Sequence, residues 1–430
     1  MEKITKNYKL ILVLIVVLAI SFRLFYIIKT DTLEYQFDVG GRNLPMDSVE
    51  EYDRIYSNYA EEPYLARHIH YIMKLYNEKE LPNEVMGQFY HPPLHHAIMA
   101  AFLTFMDNFN VGSDIKIESM QILSVIYSCI TMWSVYSMLK ELEIKPKFRI
   151  LPMILMAFYP LNIFLSGSIN NDMLVLMFSS LALLYTIKWQ KNPSMKNAFL
   201  LALWLGLGMM TKTSIVVMIV PAVYVYFKKL MEFINEDKKV GGLIAQLIVF
   251  SLVAGVLGLW FQIRSLLNGL NTIGIIQPYE DLSVAGYNLW ERFGLANIFV
   301  MCGYNLWNYF VYSSLNFAIG YQYTLVEGIF AVFAAALIII SIYYLFKYRK
   351  ENGVLFITYI TWWLSYLYLN ISMPYSCSMN ARYMLIPLII GFVMIGKGFE
   401  KEESKLIKGI TILSTALVCI YSIVSFIFVF

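Results

Sequence analysis

Two aspartates, one lysine and two arginines lie at the ends of apolar runs or within ten residues of them. They are Asp38, Asp172, Lys212, Arg264 and Arg382. A carboxylate can act as a general base, and cations can hold a negatively charged group, so the set could form an active site at a membrane surface. Taken singly, each residue also has a structural interpretation. An aspartate can begin a helix or lie in a turn, and a basic residue can anchor a helix end at the lipid interface.

All five histidines of the chain fall within 29 residues of one polar stretch. They are His68, His70, His91, His95 and His96. His-x-His and His-His pairs can bind zinc, but their spacing matches no known zinc site, so a divalent metal is possible without being implied and the cofactor stays open. His91 precedes Pro92-Pro93, which favours a helix start just after it, and the N-terminus of a helix is suited to holding an anion.

The composition indicates the environment in which these residues act. Of the 430 residues, 59% are hydrophobic and only 15% are charged, whereas a soluble chain carries about 25% charged residues. The mean hydropathy is +0.59. These values predict an all-α polytopic membrane protein, because too few polar groups are present to cover a water-facing surface. A net charge of +3 is too small to indicate a nucleic-acid partner.

Eleven apolar runs are predicted to cross the bilayer, most of them near the ~20 residues that a spanning helix needs. They lie at about 10–28, 118–139, 150–168, 172–188, 197–211, 213–227, 242–261, 325–346, 353–371, 382–396 and 409–428. The short runs 197–211 and 213–227 predict a tight hairpin with Lys212 at its tip. One further run, 94–106, is too short to span and is predicted to be a juxtamembrane helix in the outer interface.

The distribution of lysine and arginine sets the predicted orientation. With run 94–106 outside the bilayer, the inner segments carry 21 of the 33 Lys and Arg residues. Since basic residues concentrate on the cytoplasmic side, the N-terminus is predicted to be cytoplasmic and the site extracytoplasmic. The polar stretches 29–117 and 262–324 then become a large first outer loop and a second outer segment. No internal repeat is present, which weakens the interpretation as a secondary transporter. Residues 1–430 are predicted to form one transmembrane domain.

Several short motifs occur in an order typical of a known family. The stretch Gln88-Phe89-Tyr90-His91-Pro92-Pro93-Leu94 resembles the juxtamembrane motif of bacterial family 39 glycosyltransferases, which have the GT-C membrane fold. Protein O-mannosyltransferases and lipid A aminoarabinose transferases share that fold. The further matches are Phe37-Asp38-Val39-Gly40, Asn171-Asp172-Met173-Leu174, Thr211-Lys212-Thr213-Ser214, Trp260–Arg264 and Arg382-Tyr383. The resemblance extends from about Tyr8 to Gly396.

This resemblance implies a mannosyltransferase-like hexosyltransferase that takes a sugar from a polyprenyl phosphate and transfers it to a lipid, glycan or protein acceptor. A phosphate leaving group is already a weak base, so one carboxylate suffices as general base and direct displacement inverts the anomeric carbon. Asp38 is the expected base, with Asp172 assisting it or orienting the acceptor. The lipid phosphate is expected to be held by His91, Lys212 and Arg264, with Arg382 as a further candidate.

Two features depart from the family pattern, and other functions remain open. The family often has two adjacent acids in the first loop, whereas Val39 follows Asp38 here. The insertion 43–64 carries six acids, of which Glu62 could replace Asp38 as base. A flippase or polymerase for lipid-linked glycans would share the phosphate site, and a flippase would need no base. A transporter would place ionisable residues near mid-membrane, but within the predicted spans only Arg23 is charged away from an end.

Overall fold

A computed structural model describes residues 2–30, 67–84, 87–270, 325–375 and 380–428, together with residues 286 and 378. Asp38 and the insertion 43–64 therefore lie outside the described residues, as does most of the second outer segment. The described α-helices are α1 Glu2–Lys29, α2 His68–Asn77, α3 Leu94–Met106, α4 Ser113–Ser119, α5 Gln121–Glu141, α6 Ile150–Phe158, α7 Pro160–Ser166, α8 Asp172–Lys191, α9 Met195–Met209, α10 Ile219–Asn235, α11 Gly241–Leu267, α12 Leu325–Lys347, α13 Gly353–Ser372, α14 Leu385–Lys401 and α15 Lys405–Phe428. Short 3₁₀ helices cover Gly87–Tyr90, Pro146–Arg149, Thr213–Met218 and Ala381–Met384.

The eleven apolar runs are largely helical, and the predicted all-α polytopic membrane fold is confirmed. Within the described residues, nine helices are long and apolar enough to cross a bilayer, and a bent pair can count as a tenth. The run 197–211 forms α9, whose 15 residues are fewer than a full span needs. The run 94–106 is helix α3, again too short to span, as predicted.

The predicted span 150–168 is broken in two rather than continuous. The helical stretches Pro146–Phe158 and Pro160–Ser166 meet at an angle of 53°. Tyr159 has an extended backbone, with φ −67° and ψ 130°. The cause is Pro160, whose ring disfavours helical backbone in the preceding residue and which has no N–H to donate.

The chain forms two compact units, each built from separate stretches of sequence. One unit comprises residues 23–131 and 165–277, and it contains α2 to α4 and α8 to α11. Helix α8 is its core, because side chains all around this helix are buried. Helices α9 and α11 approach closely where a Cβ on Gly206 would lie 2.8 Å from the Leu257 Cβ. Small residues of this kind let membrane helices pack backbone against backbone.

The other unit comprises residues 1–22, 132–164 and 278–430. Its described core is formed by α6, α12, α14 and α15, with Tyr159 packed against Phe392 at 5.3 Å between ring centroids. Arg382 belongs to this unit and lies just before α14. Its backbone N–H donates to the Asn380 side chain at 2.9 Å, and its Nη2 donates to the Tyr383 hydroxyl at 3.2 Å.

Candidate active site

Three segments that are distant in sequence meet in the first of these units. The backbone N–H of Leu94, at the start of α3, donates to the carbonyl of Met210 at 3.0 Å. The His95 Nε2 lies 2.6 Å from the carbonyl oxygen of Ile169, and the Asn171 side chain donates to the carbonyl of Thr211 at 3.4 Å. The juxtamembrane motif, the turn before α8 and the α9–α10 hairpin tip are thus joined directly by hydrogen bonds.

Asp172 and Lys212 form a buried ion pair at this junction. The Lys212 Nζ lies 2.7 Å from the Asp172 Oδ1, and the two side chains are only 16% and 6% exposed. Asp172 is the first residue of α8, where the helix dipole favours a carboxylate. Its backbone N–H donates to the Asn170 side chain at 3.0 Å. Both residues were predicted site residues, but their pairing was not predicted.

Four histidines and two tyrosines form a ladder of rings beside this pair, which we call the histidine ladder. Its members are Tyr90, His91, His68, His96, Tyr71 and, on its flank, His95. His91 stacks on His68 at 5.5 Å between centroids, and His96 stacks on Tyr71 at 4.0 Å. His68 Nδ1 and His96 Nε2 lie 3.0 Å apart, so one ring must donate a proton and the other accept it. Through these ring contacts, His68 and Tyr71 of α2 pack against His96 of α3.

The histidines of the ladder are held neutral. Burial lowers the pKa of His91 well below its ordinary value, and the positive charge of Lys212 lowers it further. Burial likewise lowers the pKa of His95 to about 4, opposed by its bond to Ile169 and by the charge of Asp172. His91 is therefore suited to hold a phosphate by donating an N–H rather than by carrying a charge. His91 lies three residues before α3 begins.

The ladder predicts that the protein is less stable in mild acid. Because the folded pKa values are lowered, the unfolded chain binds more protons below about pH 6.5, so stability is complete above that pH and falls as the pH decreases toward 4. Below that pH, each histidine that stays neutral in the folded protein lowers the free energy of unfolding by about 1.4 kcal/mol per pH unit. We expect the Tm of the detergent-purified protein to fall between pH 7.5 and pH 5. Replacing His68 and His96 by asparagine and glutamine should weaken this dependence, and an unchanged slope would contradict the assignment.

Arg264 lies in the last turn of α11, where it holds a loop of the same unit. Its Nη1 and Nη2 donate to the carbonyl of Pro82 at 3.1 Å, and Nη2 donates to the Asn83 Oδ1 at 2.6 Å. On the other side of the loop, the Lys74 Nζ lies 2.7 Å from the Glu84 carboxylate. Burial raises the pKa of Tyr71, and the positive charge of Arg264 opposes that rise. The charge of Arg264 is therefore felt by Tyr71, the last ring of the histidine ladder.

Sequence reasoning missed two polar contributors to the site. Asn170 supports Asp172 through its side chain, and His95 ties the juxtamembrane helix to the turn before α8. The run Asn170-Asn171-Asp172 carried a signal, since adjacent asparagines before a helix often bond backbone groups. Asp38 lies outside the described residues. Among those residues, no three His, Cys, Asp or Glu side chains are placed to hold a metal ion.

Two solved structures of one protein are similar to this chain. Among solved structures, the chain is similar to ArnT from Cupriavidus metallidurans bound to undecaprenyl phosphate, at 12% identity and a TM-score of 0.48, covering 86% of this chain and 64% of that one. The same protein in the apo state gives 12% identity, a TM-score of 0.35 and coverages of 77% and 71%. This chain thus spans less than two thirds of ArnT in the complex. No curated protein matches.

The sequence match to a family covers the centre of the candidate site. Residues 90–260 match the family of dolichyl-phosphate-mannose-protein mannosyltransferases. The matched stretch includes His91, Asp172 and Lys212, and it ends four residues before Arg264. The part of the chain that builds the ion pair and most of the histidine ladder therefore carries the sequence pattern of the dolichyl-phosphate-mannose-protein mannosyltransferase family.

Proposed function

We propose that this protein is a membrane glycosyltransferase that moves a sugar from a polyprenyl-phosphate donor to an acceptor on the extracytoplasmic side. One observation carries the proposal: the family match covers the same residues that fold into a buried junction of His91, Asp172 and Lys212. A buried carboxylate and ammonium beside neutral imidazoles provide both proton acceptors and donors to an oxyanion. Such groups are typical of sites where charge develops during transfer.

The proposed reaction is a direct displacement at the anomeric carbon. The acceptor oxygen forms a bond to that carbon as the bond to the phosphate oxygen breaks, and the acceptor proton moves to the Asp38 carboxylate. The departing polyprenyl phosphate gains negative charge, which Lys212 and Arg264 balance while His91 donates a hydrogen bond. Asp172 holds the Lys212 ammonium in place. Arg382 is a further candidate for the phosphate, and the prenyl tail lies in lipid.

The proposal is tested by supplying the donor and following the sugar. Sealed membrane vesicles prepared from cells with and without the protein are given polyprenyl-phosphate mannose, and their glycolipids and glycoproteins are compared by mass spectrometry. A sugar mass added to a lipid, glycan or protein supports transfer and identifies the acceptor. Movement of the donor between leaflets without any new glycosidic bond would instead indicate a flippase.

The orientation of the chain can be tested with single cysteines. In a background with the four native cysteines changed to serine, Glu80→Cys lies in the loop after α2 and Glu236→Cys lies between α10 and α11. Both native side chains are exposed. An impermeant thiol reagent applied to intact cells should label position 80 and spare position 236. The reason is that the loop between α10 and α11 is rich in lysine, and basic loops lie on the cytoplasmic side. The reverse pattern would place the site on the cytoplasmic side, and labelling of both positions after lysis is the control.

Arg264 can be tested with a matched control in the loop that it holds. Arg264→Ala is expected to weaken donor binding by about 10–100-fold, since a hydrogen bond to a charged group contributes about 1.5–3 kcal/mol. Arg264→Lys should restore only part, because a point charge cannot replace the guanidinium fork. Asn83→Ala removes one loop acceptor and keeps the arginine. If Asn83→Ala weakens donor binding as much as Arg264→Ala, the arginine acts through the loop rather than on the phosphate.

A further inference from the structure

Arg23 is a charged residue deep in a membrane span, and the proposed reaction does not use it. It lies in the span Asn7–Lys29 of α1 and is 0% exposed. A buried cation in a span is expensive and usually has a functional reason. Its Nε donates to the Ser128 hydroxyl on α5 at 2.8 Å. This bond fixes the C-terminal part of α1 against α5 at a defined register.

The face of α1 that carries Arg23 also packs on the turn before α8. Arg23, Tyr26 and Thr30 follow the helical spacing i, i+3, i+7, and all three are buried, whereas Ile28 between them is 82% exposed. Tyr26 fits closely over Gly167, because a Cβ at Gly167 would lie 2.6 Å from the Tyr26 Cε1. The turn is thus covered by the helix that Arg23 holds in register.

The same face of α5 reaches that turn through a second serine. Ser124 lies one helical turn from Ser128, and its hydroxyl donates to the carbonyl of Ser168. The Asn170 N–H donates to the Ser168 hydroxyl at 3.3 Å, and the Asp172 N–H donates to the Asn170 side chain at 3.0 Å. A continuous buried route therefore leads from the α1–α5 contact to the carboxylate that holds Lys212.

We propose that Arg23 is a positioning residue that, through Ser128 and Tyr26, fixes the turn 166–170 and thereby the orientation of Asp172. For its effect on activity, this inference rests on the proposed function. Its structural part does not, since the order of the turn can be measured directly.

The test uses Arg23→Met, Arg23→Lys and Ser128→Ala in the full chain, with Ser134→Ala as control. Ser134 is a buried serine on the same helix α5 and lies outside this route. Hydrogen exchange of peptides covering residues 166–172 should become faster in Arg23→Met and Ser128→Ala and stay unchanged in Ser134→Ala. The double variant Arg23→Met, Ser128→Ala should show hydrogen exchange at residues 166–172 no faster than that of Arg23→Met, because the two side chains form one contact.

Comparing kcat with the donor KM then distinguishes a positioning role of Arg23 from a general loss of folded structure. Small displacements far from the reacting atoms can cost up to about 100-fold, so kcat should fall by about 10–100-fold in Arg23→Met, with partial recovery in Arg23→Lys. The donor KM should change far less, because Arg264 and His91 lie outside the route. Equal exchange changes throughout the chain, or no change at 166–172, would overturn the inference. If Arg23→Met does not fold, hydrogen exchange at residues 166–172 in Ser128→Ala tests the inference instead. If the wild type transfers no sugar, the proposed function fails, but the exchange measurement still tests whether Arg23 orders the turn.

Discussion

Asp38→Asn is expected to reduce sugar transfer by about 10²–10⁴-fold, the usual contribution of a general base. Asparagine keeps the size of the side chain but cannot accept the acceptor's proton. Donor binding should be retained, because the groups proposed to hold the phosphate lie on other segments. The measurement is single-turnover transfer from a labelled polyprenyl-phosphate sugar, together with the Kd of the donor.

The control for this prediction is Glu62, the alternative acid in the insertion 43–64. Glu62→Gln should transfer at nearly the wild-type rate if Asp38 is the base. Near-normal turnover in Asp38→Asn would reassign the base to Glu62 or Asp172. Loss of donor binding in Asp38→Asn would show that Asp38 supports the donor site rather than the proton transfer.

Lys212→Met is expected to be strongly destabilising as well as inactive. The change removes the cation that lies 2.7 Å from the Asp172 carboxylate in a buried setting. Removing one partner of a buried ion pair typically costs about 3–5 kcal/mol. The matched control is Lys229→Met, whose Nζ lies 2.8 Å from the Glu232 carboxylate. The two lysine side chains are equally exposed, at 16%, but Glu232 is 40% exposed where Asp172 is 6% exposed. Because water still reaches the Glu232 carboxylate, this pair contributes at most about 1 kcal/mol, so the control should keep its Tm.

The double variant Asp172→Asn, Lys212→Met separates stability from catalysis. Once both charges are absent, much of the lost stability should return, because no charge is left buried without its partner from this pair. Sugar transfer should stay lost, since the phosphate would still lack the ammonium. Recovery of transfer in the double variant would show that the pair has only a structural role. A Lys212→Met variant as stable as Lys229→Met would contradict the buried pair itself.

The membrane helices could be predicted from the sequence because hydropathy is a local property. A run of about 20 apolar residues satisfies its backbone only as helix in lipid, whatever its neighbours do. The thirteen-residue helix Leu94–Met106 was predicted at its observed bounds for the same reason. The break at Tyr159–Pro160 was not predicted, although the proline that causes it is visible in the sequence.

The residues of the site were chosen from the sequence by type and position, but their partners were decided by tertiary structure. Nothing local indicates that Asp172 pairs with Lys212, 40 residues away, or that Arg264 holds the loop at Pro82. These contacts depend on which helix faces pack together, and packing is set by side-chain shape across the whole unit. Histidine spacing alone likewise does not show stacking or the loss of charge, since burial is what keeps each imidazole neutral. The sequence thus determined the membrane fold and the chemical groups, and the packing of α1, α3, α5 and α8 decided how those groups meet.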